Sequence, residues 1–253
     1  MSEKVKITAI VPTYNEEHNI ESVLQSVAFA DEIMVVDSFS TDKTIELAKK
    51  YTNCIIQREY ENSASQKNWA IPQATHEWIV LVDADERITP ELQKEIIETV
   101  NSNPKEVGFW MRRANMFMGQ EIKHGSYGRD KVIRLFKKSK CKYEPKRVHS
   151  EMITDGKTAW LKNKLQHNTY ITFDHHIEKM NRYAWWQAED LHKKNGSINP
   201  FHLIIKPAYS FFKEYIFLGG FRDGIPGFVH AAVDSYAIAT RYFKQWLLRK
   251  NLK

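Results

Sequence analysis

Two aspartates close an apolar run: Trp78-Ile79-Val80-Leu81-Val82 leads straight into Asp83-Ala84-Asp85. On an extended backbone, residues two apart share a side, so both carboxylates can converge. Hard oxygen ligands of this kind suit Mg2+ or Mn2+, whose open positions phosphate oxygens fill. A metal so held would neutralise charge on a departing diphosphate. Asp-x-Asp by itself also serves as a helix cap or a solvated turn. Its place after a strand buried on both faces favours the cation, because open α/β sheets put their ligands at the carboxyl ends of strands. Asp37 ends a similar run, Glu32-Ile33-Met34-Val35-Val36, about 20 residues beyond the first turn, where dinucleotide-binding folds hold a ribose. That first turn, Pro12-Thr13-Tyr14-Asn15-Glu16-Glu17, has no glycine to let a pyrophosphate approach the backbone, which argues against a dehydrogenase. Asp37 is left to accept from a base or ribose, or to cap the next helix.

The elements that must position these acids are readable from periodicity. Lys6 to Val11 reads as a strand that Pro12 closes, since proline donates nothing to a ladder. Ile20, Val23, Leu24 and Val27 form one helical stripe, and the strand ending in Asp37 completes a β-α-β unit. A helix with Ile45, Leu47, Ala48 and Tyr51 follows, then a strand at Cys54-Ile55-Ile56. A short helix over residues 64–70 stops near Pro72. Thr89-Pro90-Glu91 reads as N-cap, N1 proline and early acid of a helix with Leu92, Ile96 and Val100 on one side. The alternation over the first hundred residues predicts an α/β sheet. Beyond Pro104, candidate strands at Val107 to Arg112, Lys131 to Phe136 and Lys157 to Leu161 are joined by Gly-containing loops, so the sheet should become mixed. From about Ile177 the chain reads as helical and aromatic, broken by Gly219-Gly220-Phe221-Arg222-Asp223-Gly224-Ile225-Pro226-Gly227, with a last helix from about Phe228 to Leu252.

With 253 residues, the chain has room for one large domain, or one with an appendage. Its two cysteines, Cys54 and Cys141, are far apart and suggest neither a disulfide framework nor a zinc site. No charged-then-apolar leader opens the chain, so the catalytic part is expected in the cytoplasm. No apolar run reaches the ~18 residues of a membrane span. The net charge of +6 points to anionic partners: nucleic acid, nucleotide or a membrane surface.

Four segments taken together, Val11-Pro12-Thr13-Tyr14-Asn15-Glu16, Val36-Asp37-Ser38-Phe39-Ser40-Thr41-Asp42, Gln66-Lys67-Asn68 and Val82-Asp83-Ala84-Asp85, resemble family 2 inverting glycosyltransferases of the GT-A fold. Val148-His149-Ser150-Glu151, His167-Asn168-Thr169-Tyr170 and the Asp223-Gly224 turn narrow the likeness to lipopolysaccharide inner-core glucosyltransferases that act on heptose. The resemblance implies a Rossmann-like mixed sheet flanked by helices over residues 1–170, with a nucleotide part to about 104 and an acceptor part from 105. A mainly helical C-terminal extension over 171–253 would follow. It further implies that Pro12, Tyr14, Glu16 and Asp37 border the base and ribose, with Lys67 or Asn68 nearby. Asp83 would face the ribose or donor sugar, and Asp85 would hold Mg2+ or Mn2+ on the diphosphate, with His167 completing the shell. Glu151 is the implied base for the acceptor hydroxyl, with His149, two residues away, the alternative; Ser150 stands where the family usually has the acid directly after the histidine. The implied donor is a nucleoside-diphosphate hexose, UDP-glucose first, and the implied acceptor a cell-envelope glycolipid such as lipopolysaccharide core.

His175-His176 beside Asp174 are expected to be solvated, since adjacent residues diverge. Phe201 to Phe221 and the last helix mix aromatic and basic residues, which suits either a helical subdomain or an interfacial segment on an anionic leaflet, peripheral to the inner membrane face. Two rival readings fit less well. A nucleic-acid-binding protein would want a recognition motif, and none is present. A nucleotidyltransferase usually has a Gly-rich basic loop after the first strand, where this chain has two glutamates.

Overall fold

The structure is a computed structural model that describes residues 4–147, 150–168, 173–194 and 198–252. The chain divides into two compact units, residues 1–113 with 131–167, and residues 114–130 with 168–253.

In the first unit, β1 (Ile7–Thr13), α1 (Ile20–Ser26), β2 (Glu32–Asp37), α2 (Thr44–Ala48), β3 (Ile55–Gln57), α3 (Ser63–Ala70), β4 (Trp78–Leu81), β5 (Glu86–Arg87) and α4 (Pro90–Asn101) follow in order. Next comes β6 (Gly108–Phe117), which runs on into the second unit at Ala114 and there pairs with β7 (Gln120–Glu121). The first unit resumes with β8 (Lys131–Lys137), β9 (Cys141–Tyr143), β10 (Met152–Thr154), β11 (Thr158–Trp160) and β12 (Leu165–Asn168), whose last residue already belongs to the second unit. The sheet order is β3-β2-β1-β4-β8-β6. The first four strands are parallel, β8 runs antiparallel to both neighbours, and β11 lies parallel to β6. The expected change from a parallel to a mixed sheet therefore occurs at β8.

β4 is buried along its whole length because both faces of the sheet are covered. Trp78, Val80 and Val82 join Val23, Leu24, Leu92 and Ile96 on the side of α1 and α4, whereas Ile79 and Leu81 join Ala64, Ala70 and Phe136 on the side of α3. At about 1.5–3 kcal/mol for each large side chain fully buried, these layers dominate the stability of the unit. Thr89 caps α4 as expected, its hydroxyl accepting from the Leu92 N–H. Pro12 does not end β1. The strand runs on to Thr13, with Pro12 opposite Val36, while the ladder to β4 stops at Ile10. Proline fits where one side of the strand is no longer paired.

In the second unit, α5 (Phe173–Lys193) packs with α7 (Gly224–Arg249), and α6 (Lys206–Phe212) lies between wide π turns at Phe201–Ile205 and Lys213–Phe217 and also packs on α7. The last helix starts four residues earlier than its periodicity suggests: Gly224, Ile225 and Pro226 form its first turn, where an N–H has no helical partner and proline costs nothing. His176 is not solvated. It is 2 % exposed and meets Phe117 and Phe173 edge-on, because α5 turns that side inward.

Candidate active site

The carboxyl ends of β1, β2 and β4 lie side by side and carry the acids. Asp37, level with Thr13 of β1, is fully buried. It accepts from the Ser40 hydroxyl at 2.5 Å, from the Ser40 N–H and from the Gln57 amide at 2.8 Å. At the start of α2 it is Asp42, one residue before the N-cap Lys43, that accepts from the Thr44 N–H. By strand spacing, Asp37 and Asp83 stand about 10 Å apart across β1. Pro12, near the end of β1, is half-buried; on the turn that follows, Tyr14 is 55 % exposed and Glu16 accepts from the Asn19 amide at 2.8 Å. Asn15, at φ 52°, accepts from the Thr41 N–H and so ties this turn to the loop after Asp37.

Three successive residues of α3 reach the loop after β2, the turn after β4 and strand β9 in turn. Gln66 donates to Ser38, Lys67 pairs with Asp83 at 2.8 Å, and the Asn68 amide bonds both the N–H and the carbonyl of Tyr143, each at 2.8 Å. Lys67 thus belongs to the Asp83 end of the cleft, and Asn68 holds the β9–β10 hairpin.

Asp83 and Asp85 face different surroundings. Asp83 is surrounded by cations: Arg134 bonds it directly, Lys67 lies on its other oxygen, and Arg113 is 3.9 Å away. Burial works against its charge, but Arg134, then Lys67 and Arg113, outweigh it and hold the carboxyl well below the usual carboxylate range. Asp85 instead meets the His167 Nε2 at 3.4 Å. The contact follows from sheet pairing: β12 runs antiparallel to β5 with His167 opposite Glu86, which brings the imidazole onto the turn that carries Asp85. In an octahedral shell with ligands at 2.0–2.1 Å, neighbouring ligand atoms are about 3 Å apart, so this oxygen and nitrogen fit adjacent positions on one divalent cation.

Beneath the turn lies a buried network that motif reading did not find. Glu86 has no exposed surface; it accepts from the Asp83 N–H, from Arg113 Nε at 2.8 Å and from Arg134 Nε at 2.9 Å. Arg134 also donates to the Tyr143 hydroxyl at 2.8 Å, and the Lys67 ammonium lies 5.3 Å from the centre of the Tyr143 ring. The one signal for it in the sequence is Arg134 inside a candidate strand, with Arg113 directly after the end of another, where charge is not expected without a partner. Glu151 is exposed at the start of the hairpin arm, its carbonyl accepting from the Glu144 N–H, one residue before Met152 pairs with Tyr143. His149 lies outside the described residues.

Residues 8–156 match the family model of glycosyl transferase family 2. The chain belongs to glycosyl transferase family 2. It is 25 % identical to the lipopolysaccharide core biosynthesis glycosyltransferase LpsC of Rhizobium meliloti (strain 1021), over 98 % of this chain and 96 % of that one. An uncharacterised glycosyltransferase of Rickettsia typhi is 27 % identical over 94 % of this chain and 86 % of its own length. Among solved structures, Staphylococcus aureus TarS 1-349 in complex with UDP superposes with a TM-score of 0.50 at 16 % identity, covering 98 % of this chain and 92 % of that one. The fold is thus that of GT-A glycosyltransferases with a helical C-terminal region, and the protein is a glycosyltransferase. No helix among the described residues is long and apolar enough to cross a membrane.

Proposed function

We propose that this glycosyltransferase moves a hexose, glucose in the first instance, from UDP to a hydroxyl of a cell-envelope glycolipid of the lipopolysaccharide-core type, with inversion at the anomeric carbon. The observation that carries the reading is the meeting of Asp85 and His167 beside the cation-ringed Asp83 at the end of β4. The full-length likeness to LpsC supports the acceptor class.

In this reading the base and ribose lie along Pro12, Tyr14, Glu16 and Asp37, with the Asp37 carboxylate accepting from donor groups of the nucleoside. Asp83 faces the ribose or sugar; the cations around it keep it ionised and therefore able to accept hydroxyl hydrogen bonds. Asp85 and His167 would hold Mg2+ or Mn2+, which supplies charge neutralisation on the departing diphosphate. Glu151, or His149, accepts the acceptor's proton as the new oxygen–carbon bond forms and the bond from the anomeric carbon to the diphosphate oxygen breaks; UDP leaves with the bonding pair.

The test is Asp85→Ala and His167→Ala, assayed for UDP release and for Mn2+ binding by calorimetry. Both variants should melt as the parent does, lose metal affinity, and lose transfer by a hundredfold or more, an effect on the order of 3 kcal/mol at the transition state. Parental turnover in Asp85→Ala would refute the role.

A further inference from the structure

The second unit holds three cations that its fold leaves without a counter-charge. Lys123, Arg129 and Arg222 line one open cavity of about 380 Å3, and among the described residues their side chains make no ion pair or hydrogen bond. The cavity is built, not incidental. Asp223 accepts from both the main-chain N–H and the ring of His124 at 2.8 Å; the Gly125 N–H donates to the Leu218 carbonyl, and Glu214, 5 % exposed, accepts from the Ser126 N–H at 2.7 Å. These contacts fasten the 123–129 loop to the 214–223 bend and so hold three like charges around one space. Together they give the cavity a positive lining that attracts an anion.

The rim says which kind of anion. Ile216, Phe217 and Phe221 border the same cavity, and Phe217 is 70 % exposed. They continue an apolar strip along the preceding helical segment, where Phe201, Ile205, Tyr209, Phe212 and Ile216 recur every three or four residues and all are exposed, while Pro207, Ser210 and Glu214 turn inward. Phe211 and Tyr215 already pack edge-on against Phe228 of α7, so the segment is apolar on both sides and its outward strip is surplus to its own packing. Such a strip exceeds what scattered surface apolar residues require. A free phosphate needs no apolar rim; a lipid phosphate does, because its acyl chains begin where its headgroup ends.

We propose that this cavity takes the phosphate of an anionic membrane lipid, with Lys123, Arg129 and Arg222 on the headgroup and Phe217 and Phe221 entering the acyl boundary. The surface commits the second unit to an interfacial, non-spanning seat on an anionic leaflet.

The experiment is co-sedimentation of the full chain, without donor or metal, with phosphatidylcholine vesicles that contain or lack about one-third phosphatidylglycerol. The parent should partition to the anionic vesicles only. Combined Lys123→Ala, Arg129→Ala and Arg222→Ala should weaken that binding by ~100-fold, from the usual attraction of each basic residue to an anionic surface. Phe217→Ser with Phe221→Ser should weaken binding even in low salt, where charge attraction is strongest. All changed side chains are exposed, and circular dichroism of each variant checks that it is folded. Equal binding to both vesicle types, parental binding by the triple variant, release by millimolar inorganic phosphate, or a chain dimer that the Phe217/Phe221 pair dissolves would each overturn the proposal. Since no sugar transfer is measured, these results stand apart from those that test the catalytic reading.

Discussion

Glu86 should be the most sensitive polar position in the first unit. Its carboxylate is wholly buried, and every direction around it is filled by a donor: the Asp83 N–H, Arg113 Nε, and both Nε and Nη2 of Arg134. Glu86→Gln keeps the shape but removes the charge and turns one oxygen into a donor facing donors. Arg113 and Arg134 both lose this anion, and Asp83, which also lies against them, is already held by Lys67. Breaking a buried pair from one side costs about 3–5 kcal/mol, most of it the uncompensated charge left behind. For a domain of this size, that corresponds to a fall in Tm of roughly 6–20 °C. Urea denaturation at pH 7, followed by far-UV circular dichroism, measures it directly. The same logic makes Glu86→Gln with Arg113→Met milder than Glu86→Gln alone, since the double change removes a charge of each sign. A loss below about 1 kcal/mol for the single variant, or a double variant that simply adds the two costs, would refute the idea that Glu86 is held by charge balance.

Three further outcomes are expected. Glu151→Gln should lower kcat at saturating donor while leaving UDP binding intact, and His149→Ala should lower it less; loss confined to the His149 variant would reassign the base. Glu32 should make stability depend on pH: burial pushes its carboxyl up, but the Thr8 hydroxyl and the Thr75 N–H and hydroxyl outweigh this and lower it. A lowered carboxyl stabilises the fold above its ordinary value and loses that contribution as pH falls below it, so the cost of Glu32→Gln should be present at pH ~7 and shrink toward pH ~3.5. Cys141, buried and pushed up to about 12, should resist iodoacetamide in the native chain at pH ~8 and react only at the rate of unfolding; fast native labelling would contradict its burial.

Much of the first unit was legible because its signals are local. The run from Trp78 to Val82 is apolar at every position, which only a strand covered on both faces tolerates, and β4 is so covered. Thr89-Pro90-Glu91 carries its own capping chemistry, so the start of α4 could be placed to the residue. Pro12 misled because a proline forbids pairing on one side of a strand only, and which side is unpaired depends on how far β4 extends beside β1. His176 misled for a related reason: neighbouring side chains diverge on a helix, but the direction that faces inward is set by what packs there, here Phe117 and Phe173.

The sequence by itself determined the alternating sheet, the acids at the ends of β2 and β4, and the change to a mixed sheet after Pro104. Each of these depends on periodicity or on residues within a few positions of one another. Tertiary structure decided what the acids do. Asp83 and Asp85 are two residues apart and of one type, yet one is ringed by Lys67, Arg113 and Arg134 and the other faces His167. These partners come from 16 to more than 80 residues away, Lys67 from helix α3 and the others from strands or strand ends whose register sets which side chains meet. Charge interactions fall off over a few ångströms, so the identity of a carboxylate is written in its sequence, but its function is written in its neighbours.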